Sequence, residues 1–269
     1  MARRRTEGSE TTSPKELITR FLGRAASPFL FFVLLIVGWQ LIVSLGHVKP
    51  FILPDPLSVA RALFESKYQW PFQIGVTSLE IVGGFAIAVA VGILLGIAIM
   101  WAPLTRRAIL PFIILLNTLP KVALAPLFVV WLGYGILPNI FIAFITAFFP
   151  VVIGTVAGIE DTDPDMIDLA RTWKLSRLKT FVRIQIPNAM PHIFSGVKVA
   201  SSMAVIGAIV GEFIASTHGL ASIIMSAQAT LSTDTIFASL VWIAVLGLVL
   251  YGAVVLIQQL FMPWANSED

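Results

Sequence analysis

Six stretches of this chain, residues 28–46, 76–101, 109–131, 137–159, 195–215 and 236–261, are apolar almost throughout. Each runs to roughly the 20 residues that a helix needs to cross a hydrocarbon core of about 30 Å. In lipid every backbone N–H and C=O must be satisfied internally, so such segments form helices. The expected fold is all-α: a polytopic membrane protein with six transmembrane helices. Composition agrees. The chain is 57% hydrophobic and only 12% charged, where a soluble domain is about 45–50% apolar and about 25% charged.

What lies between the spans sets the orientation. Arg3, Arg4, Arg5, Lys15, Arg20 and Arg24 precede the first span, Arg106 and Arg107 follow the second, and Lys198 opens the fifth. Residues 160–187, "EDTDPDMIDLARTWKLSRLKTFVRIQIP", add Arg171, Lys174, Arg177, Lys179 and Arg183. The opposite loops hold only Lys49, Arg61 and Lys67. The bias places both termini and the 160–187 insert in the cytoplasm. It also explains the net charge of +3 without a nucleic-acid partner. Residues 1–27 are polar and rich in Ser and Thr at their start, and are expected to be a disordered cytoplasmic tail. Residues 263–269 are expected to form a second cytoplasmic tail, and 28–262 the six-span membrane domain with its loop at 159–194. A short amphipathic helix near 57–67, with Leu57, Ala60, Leu63 and Phe64 on one face, is expected at the membrane surface. Gly92 and Gly96 share one face of the second span and suit close helix approach.

The insert reads as two short helices separated by a bend. Asp163 is a good N-cap, and Pro164 fits the first helical position. Asp165 and Asp168 near the start, with Arg171 and Lys174 near the end, complement the helix dipole. Met166, Ile167, Ala170 and Trp173 recur at spacings of three and four, an apolar stripe. A second helix over about 176–185 is expected to stop before Pro187. A solvated linker needs neither caps nor a stripe, so the pair reads as a docking surface.

These residues resemble a known family. "DLARTWKLSRLKTFVRIQIP" is similar to the EAA loop of ABC-importer permeases, whose pattern is E-A-A, three residues, G, nine residues, I-x-L-P. Asp168, Leu169 and Ala170 stand at E-A-A, and Ile184 to Pro187 at I-x-L-P. Lys174 occupies the Gly position. Glycine there permits a bend at φ > 0, where Lys must strain, at about 1 kcal/mol, or bend elsewhere. "LPKVALAPLFVVWLGYG" (119–135) and "GEFIASTHGLASIIMSAQ" (211–228) are similar to permeases of the nitrate, sulfonate, taurine and bicarbonate group, which includes importers of thiamine precursors and riboflavin. The likeness runs over about 28–262. It implies a bacterial inner-membrane pathway built from two permease copies, an ATPase dimer, and a soluble binding protein that delivers substrate. It places the coupling surface on Met166, Asp168, Leu169, Ala170, Trp173 and Lys174. ATP belongs to the partner; this chain lacks a Gly-rich phosphate loop followed by Lys and Ser or Thr, and no cofactor of its own is expected.

Charge inside the spans is costly, at least about 2.5–3.5 kcal/mol at mid-bilayer. Glu80, a few residues into its span, is expected to reach the outer interface. Lys121 sits mid-span between Pro120 and Pro126, one turn after Asn117, in a segment expected to break and line a cavity. Glu212 lies in the fifth span, and a Lys121–Glu212 pair neutralises both charges. Such a pair is either a structural salt bridge or, with Asn117, part of the pathway wall. Two other functions compete. A self-sufficient secondary transporter has no use for a capped cytoplasmic helix pair. A membrane enzyme finds no support: cysteine is absent, and His47, His192 and His218 are far apart.

Overall fold

The computed structural model describes residues 14–101 and 103–262. The helices are α1 (Pro14–Leu45), α2 (Pro56–Ala62), α3 (Trp70–Trp101), α4 (Pro103–Thr118), α5 (Ala125–Leu132), α6 (Ile136–Glu160), α7 (Pro164–Thr172), α8 (Arg177–Thr180), α9 (Ile186–Ala215), α10 (Leu220–Ala229) and α11 (Thr233–Phe261). Among the described residues there is no strand. α3, α6, α9 with its leading turn, and α11 are each long and apolar enough to cross a membrane. The bent pair Ala108–Thr118 and Lys121–Leu132 is a fifth candidate span, and α1 carries a shorter apolar stretch, Leu30–Leu45.

α3, α6 and α9 make the core, with Ala88, Ala143, Ala147, Val151, Ala200 and Ala204 buried between them. Small residues let the backbones close. A Cβ on Gly92 would sit 2.8 Å from Val151 Cβ, and one on Gly96 2.6 Å from Thr155 Cβ. Two approaching α3 glycines are what the sequence predicts, and α6 is their partner. On the other side of α6, a Cβ on Gly196 would lie 2.6 Å from the Pro150 carbonyl oxygen. Between apolar helices in lipid, this van der Waals fit drives association. α1 stands apart from the core, tied by Trp39, which donates from Nε1 to the Pro54 carbonyl at 3.0 Å and packs against Phe237.

Two expectations change, and a third holds. The tail expected over 1–27 is helical from Pro14; residues 1–13 and 263–269 lie outside the described residues. Leu17, Ile18, Phe21 and Leu22 recur at helical spacing, a pattern that favours helix over a disordered tail. The 109–131 span breaks at Pro120, as its prolines lead one to expect: Ala108–Thr118 and Lys121–Leu132 meet at 84°. Pro120 has no N–H to continue α4, and Lys121–Leu124 instead form a 3₁₀ turn leading into α5. Finally, the second helix of the insert does not stop before Pro187. It runs through a π turn at Phe181–Gln185 directly into α9. A proline ring collides with the carbonyl four residues back, here that of Arg183, and the wider π turn makes room for it.

Candidate functional site

At the end of the bundle where α6 stops, Asp163 caps α7 by accepting from the Asp165 N–H at 2.8 Å, with Pro164 at the first position. The far end closes by a Schellman motif. Leu175 N–H donates to Ala170 O at 3.0 Å, Lys174 N–H donates to Arg171 O at 2.9 Å, and Lys174 takes φ +57°. Lys174 therefore makes the left-handed bend itself, at the position where the family pattern has glycine. Arg171 pairs with Asp168 at 2.9 Å, both exposed.

α7 divides its apolar residues between two faces. Met166, Leu169 and Trp173 point outward, Trp173 with 72% of its surface exposed, and Leu178 and Val182 farther along the loop are exposed as well. Ala170 does the opposite: it is 2% exposed and packs inside the chain. The expected stripe of Met166, Ile167, Ala170 and Trp173 thus splits, and Ala170 is not on the open face. Behind it, the Arg177 guanidinium stacks on Trp101 at 5.0 Å and donates to the Trp101 carbonyl, while Phe181 meets Trp101 edge-on at 5.3 Å. The loop is thereby joined to the last residue of α3, an attachment that no local motif signals.

At the helix break, the Lys121 ammonium donates to Asn117 O at 2.9 Å and Asn117 Oδ1 at 2.8 Å, and lies 4.8 Å from the Phe149 ring centre. The bond to Asn117 O satisfies a carbonyl left free by the end of α4, where a cation also complements the dipole. Asn117 and Lys121 share a face, as expected from their spacing. Glu212 is elsewhere. Its Oε1 accepts from the Thr77 hydroxyl at 2.5 Å and its Oε2 from the Ala221 N–H at 2.6 Å. The expected Lys121–Glu212 pair does not form within the chain, because each group is satisfied by neutral partners nearer to it.

Glu80 also departs from expectation. It is fully buried among the helices rather than exposed at their surface, and its Oε1 accepts from Asn139 Nδ2 at 2.8 Å. The carboxyl groups of Glu80 and Glu212 are neighbours. Among the described residues no Lys, Arg or His forms an ion pair with either. Glu80 Oε2 and Asn139 Oδ1 have no hydrogen-bond partner. Thr77, Asn139 and Gln73, which the sequence reading passed over, complete this buried cluster. One signal for it was present: Gln73, Thr77 and Glu80 lie at i, i+4 and i+7, a polar stripe on an apolar span.

Residues 88–266 match the family model described as the inner membrane component of binding-protein-dependent transport systems. The chain belongs to that family. It is 31% identical to a probable ABC transporter permease of Haemophilus influenzae, over 85% of this chain and 93% of that one. It is 28% identical to the formylaminopyrimidine transport permease ThiX of Halalkalibacterium halodurans, over 91% and 98%. It is 31% identical to the riboflavin transport system permease RibX of Chloroflexus aurantiacus, over 87% and 88%. The chain is thus a multi-pass permease subunit of an ABC importer, a family that works with an ATPase and a substrate-binding protein. A self-sufficient transporter is not supported. In this permease, α7 with its Schellman turn is the segment that matches the EAA pattern.

Proposed function

We propose that this permease forms, with a second copy of itself, the inner-membrane pathway for a small organic solute of the sulfonate, taurine, nitrate or vitamin-precursor kind. Relatives named for aliphatic sulfonates, formylaminopyrimidine and riboflavin support that range. Both termini and α7 face the cytoplasm, in keeping with the Lys and Arg bias. α2, with Leu57 and Ala60 exposed and Phe64 exposed just past its end, lies at the outer membrane surface. The chain carries out no bond chemistry and binds no cofactor; ATP is bound and hydrolysed by a partner ATPase dimer. The broken segment at Lys121, with Asn117, lines the pathway, since freed backbone groups at membrane depth need polar surroundings.

The observation that carries the reading is the exposure of the apolar Met166, Leu169, Trp173, Leu178 and Val182 on a loop otherwise dense in charge. Exposed aromatic and aliphatic residues rimmed by charge mark a protein interface. Asp168 and Lys174 belong to the rim, and Ala170 supports α7 from behind. The experiment is co-purification of tagged permease with the ATPase subunit encoded beside it. Leu169→Glu puts a charge into the interface and abolishes co-purification while membrane insertion persists. Undiminished ATPase recovery with Leu169→Glu refutes the docking surface. Failure of the native chain to recover any ATPase refutes the function.

A further inference from the structure

The end of the bundle opposite α7 holds α10, a ten-residue helix between α9 and α11. The opening N–H groups of a helix have no partner within it. Here the first three are taken by side chains of two spans. Gly219 N–H donates to Gln73 Oε1 at 2.5 Å, Leu220 N–H to Thr77 Oγ1 at 2.9 Å, and Ala221 N–H to Glu212 Oε2 at 2.6 Å. Thr77 and Glu212 are also bonded to each other, so α3, α9 and α10 meet in one hydrogen-bonded knot. Gly219 holds φ +105°, and the space where its Cβ would stand is filled by the Glu212 carboxyl group. The turn is therefore built around Glu212. Beyond the knot, Ser222, Ser226 and Thr230 of α10 face Lys67 and Gln73 across a polar cavity of about 470 Å³.

We propose that Glu212 is a positioning residue that makes α10 a passenger of the α3–α9 pair, so that this wall of the polar cavity moves only when those two spans move. The energetics favour it. The bonds at Leu220 and Ala221 are buried and the one at Gly219 is half-buried, and leaving a buried donor unmet costs about 1–3 kcal/mol. Releasing α10 from α3 and α9 strands two buried donors and a carboxyl group at once. Sliding α10 together with both spans strands none. Local opening between α10 and the spans is thus disfavoured relative to their common motion. Glu212 works here as an acceptor, so an amide of the same shape serves in its place. In Glu212→Gln the amide oxygen meets the α10 N–H groups, and the amide NH₂ reaches Thr77 Oγ1 or Glu80.

The inference rests on the importer reading only for the cycle that drives the motion, and the test separates the two. The first arm is hydrogen exchange of the purified native chain and variants. Glu212→Ala speeds exchange of the Leu220 and Ala221 amides by at least about tenfold, with the α6 amides unchanged, and Glu212→Gln restores protection. Thr77→Val gives the same loss at Leu220 should Glu212→Ala fail to fold. The second arm uses the complex with its ATPase. The chain has no cysteine, so spin labels at Met225→Cys on α10 and Leu79→Cys on α3 of one copy, paired with an unlabelled second copy, report one distance. Between the nucleotide-free state and ATP–vanadate trapping that distance changes by less than about 2 Å, the scale of ordinary helix shifts. In Glu212→Ala the distribution broadens and differs between the two states; in Glu212→Gln it does not. A larger shift in the native complex, unchanged exchange in Glu212→Ala, or no rescue by Glu212→Gln overturns the positioning role. A native complex that traps no nucleotide refutes the importer reading instead, and the exchange arm still decides the role of Glu212.

Discussion

Lys174 sits at φ +57° in the Schellman turn that ends α7, and replacing it with glycine should tighten the turn. A residue with a Cβ pays roughly 1–2 kcal/mol to sit in the left-handed region. Glycine escapes that cost but loses more chain entropy on ordering, about 0.5–1 kcal/mol. The net gain for Lys174→Gly is about 0.5–1 kcal/mol, or two- to fivefold in the local opening equilibrium. The Leu175 amide, which donates to Ala170 O at 3.0 Å, reads this directly, because it exchanges only when the turn opens. Lys174→Gly slows its exchange by that factor. Lys174→Ala removes the same charge and stem but keeps Cβ, so it leaves exchange within about twofold of native. Lys174→Val adds branching at an unfavourable φ and speeds exchange. Slower exchange in Lys174→Ala equal to that in Lys174→Gly would mean that side-chain loss, not backbone strain, is at work. Faster exchange in Lys174→Gly would refute the reasoning outright.

Three other outcomes follow from the geometry. Gly96→Val drives two methyls into Thr155, whose Cβ is 2.6 Å from the position of the added Cβ; separating α3 from α6 costs at least about 1–3 kcal/mol, visible as a lower melting temperature in detergent. Lys121→Met and Glu212→Gln, tested singly and together for transport and thermal stability, show additive stability effects within about 0.5 kcal/mol, because the two residues share no partner; a coupling above about 1 kcal/mol restores the direct pair. Asp55 caps α2, and its bonds from Ser58, side chain first and then backbone, hold its carboxyl below the usual 3.8. The cap's contribution is complete above pH 3.8 and disappears as pH falls through the lower folded value, so protection of the Ser58 amide, corrected for intrinsic rate, is flat from pH 5 to 8 and falls only in stronger acid. Asp55→Ala lacks that protection at every pH.

Much of the fold was legible because its causes are local. Span length, Asp163 and Pro164 at the head of α7, Pro120 at the break, and the Asn117–Lys121 spacing all act within about four residues. Chain order also carries the spacing of the EAA-like pattern, through which the family was recognised. The same local rules misled where two answers were possible. Helical spacing groups Ala170 with Met166 and Trp173, but only packing against the rest of the chain decides that Ala170 faces inward while the other two stay open. Pro187 looks like a stop, yet a π turn absorbs it and α9 continues.

The buried cluster was the least legible part. Counting charges left Lys121 and Glu212 as the natural pair, since neutral partners carry no mark in a sequence. The structure satisfies Lys121 within one turn of its own helix break. It satisfies Glu212 across 135 residues at Thr77 and again at the start of α10, and it brings Asn139 to Glu80 across 59. A buried polar group in an apolar medium requires only that a complementary donor or acceptor be close. Sequence determines that such a partner must exist, whereas the close approach of α3, α6 and α9 determines which one it is.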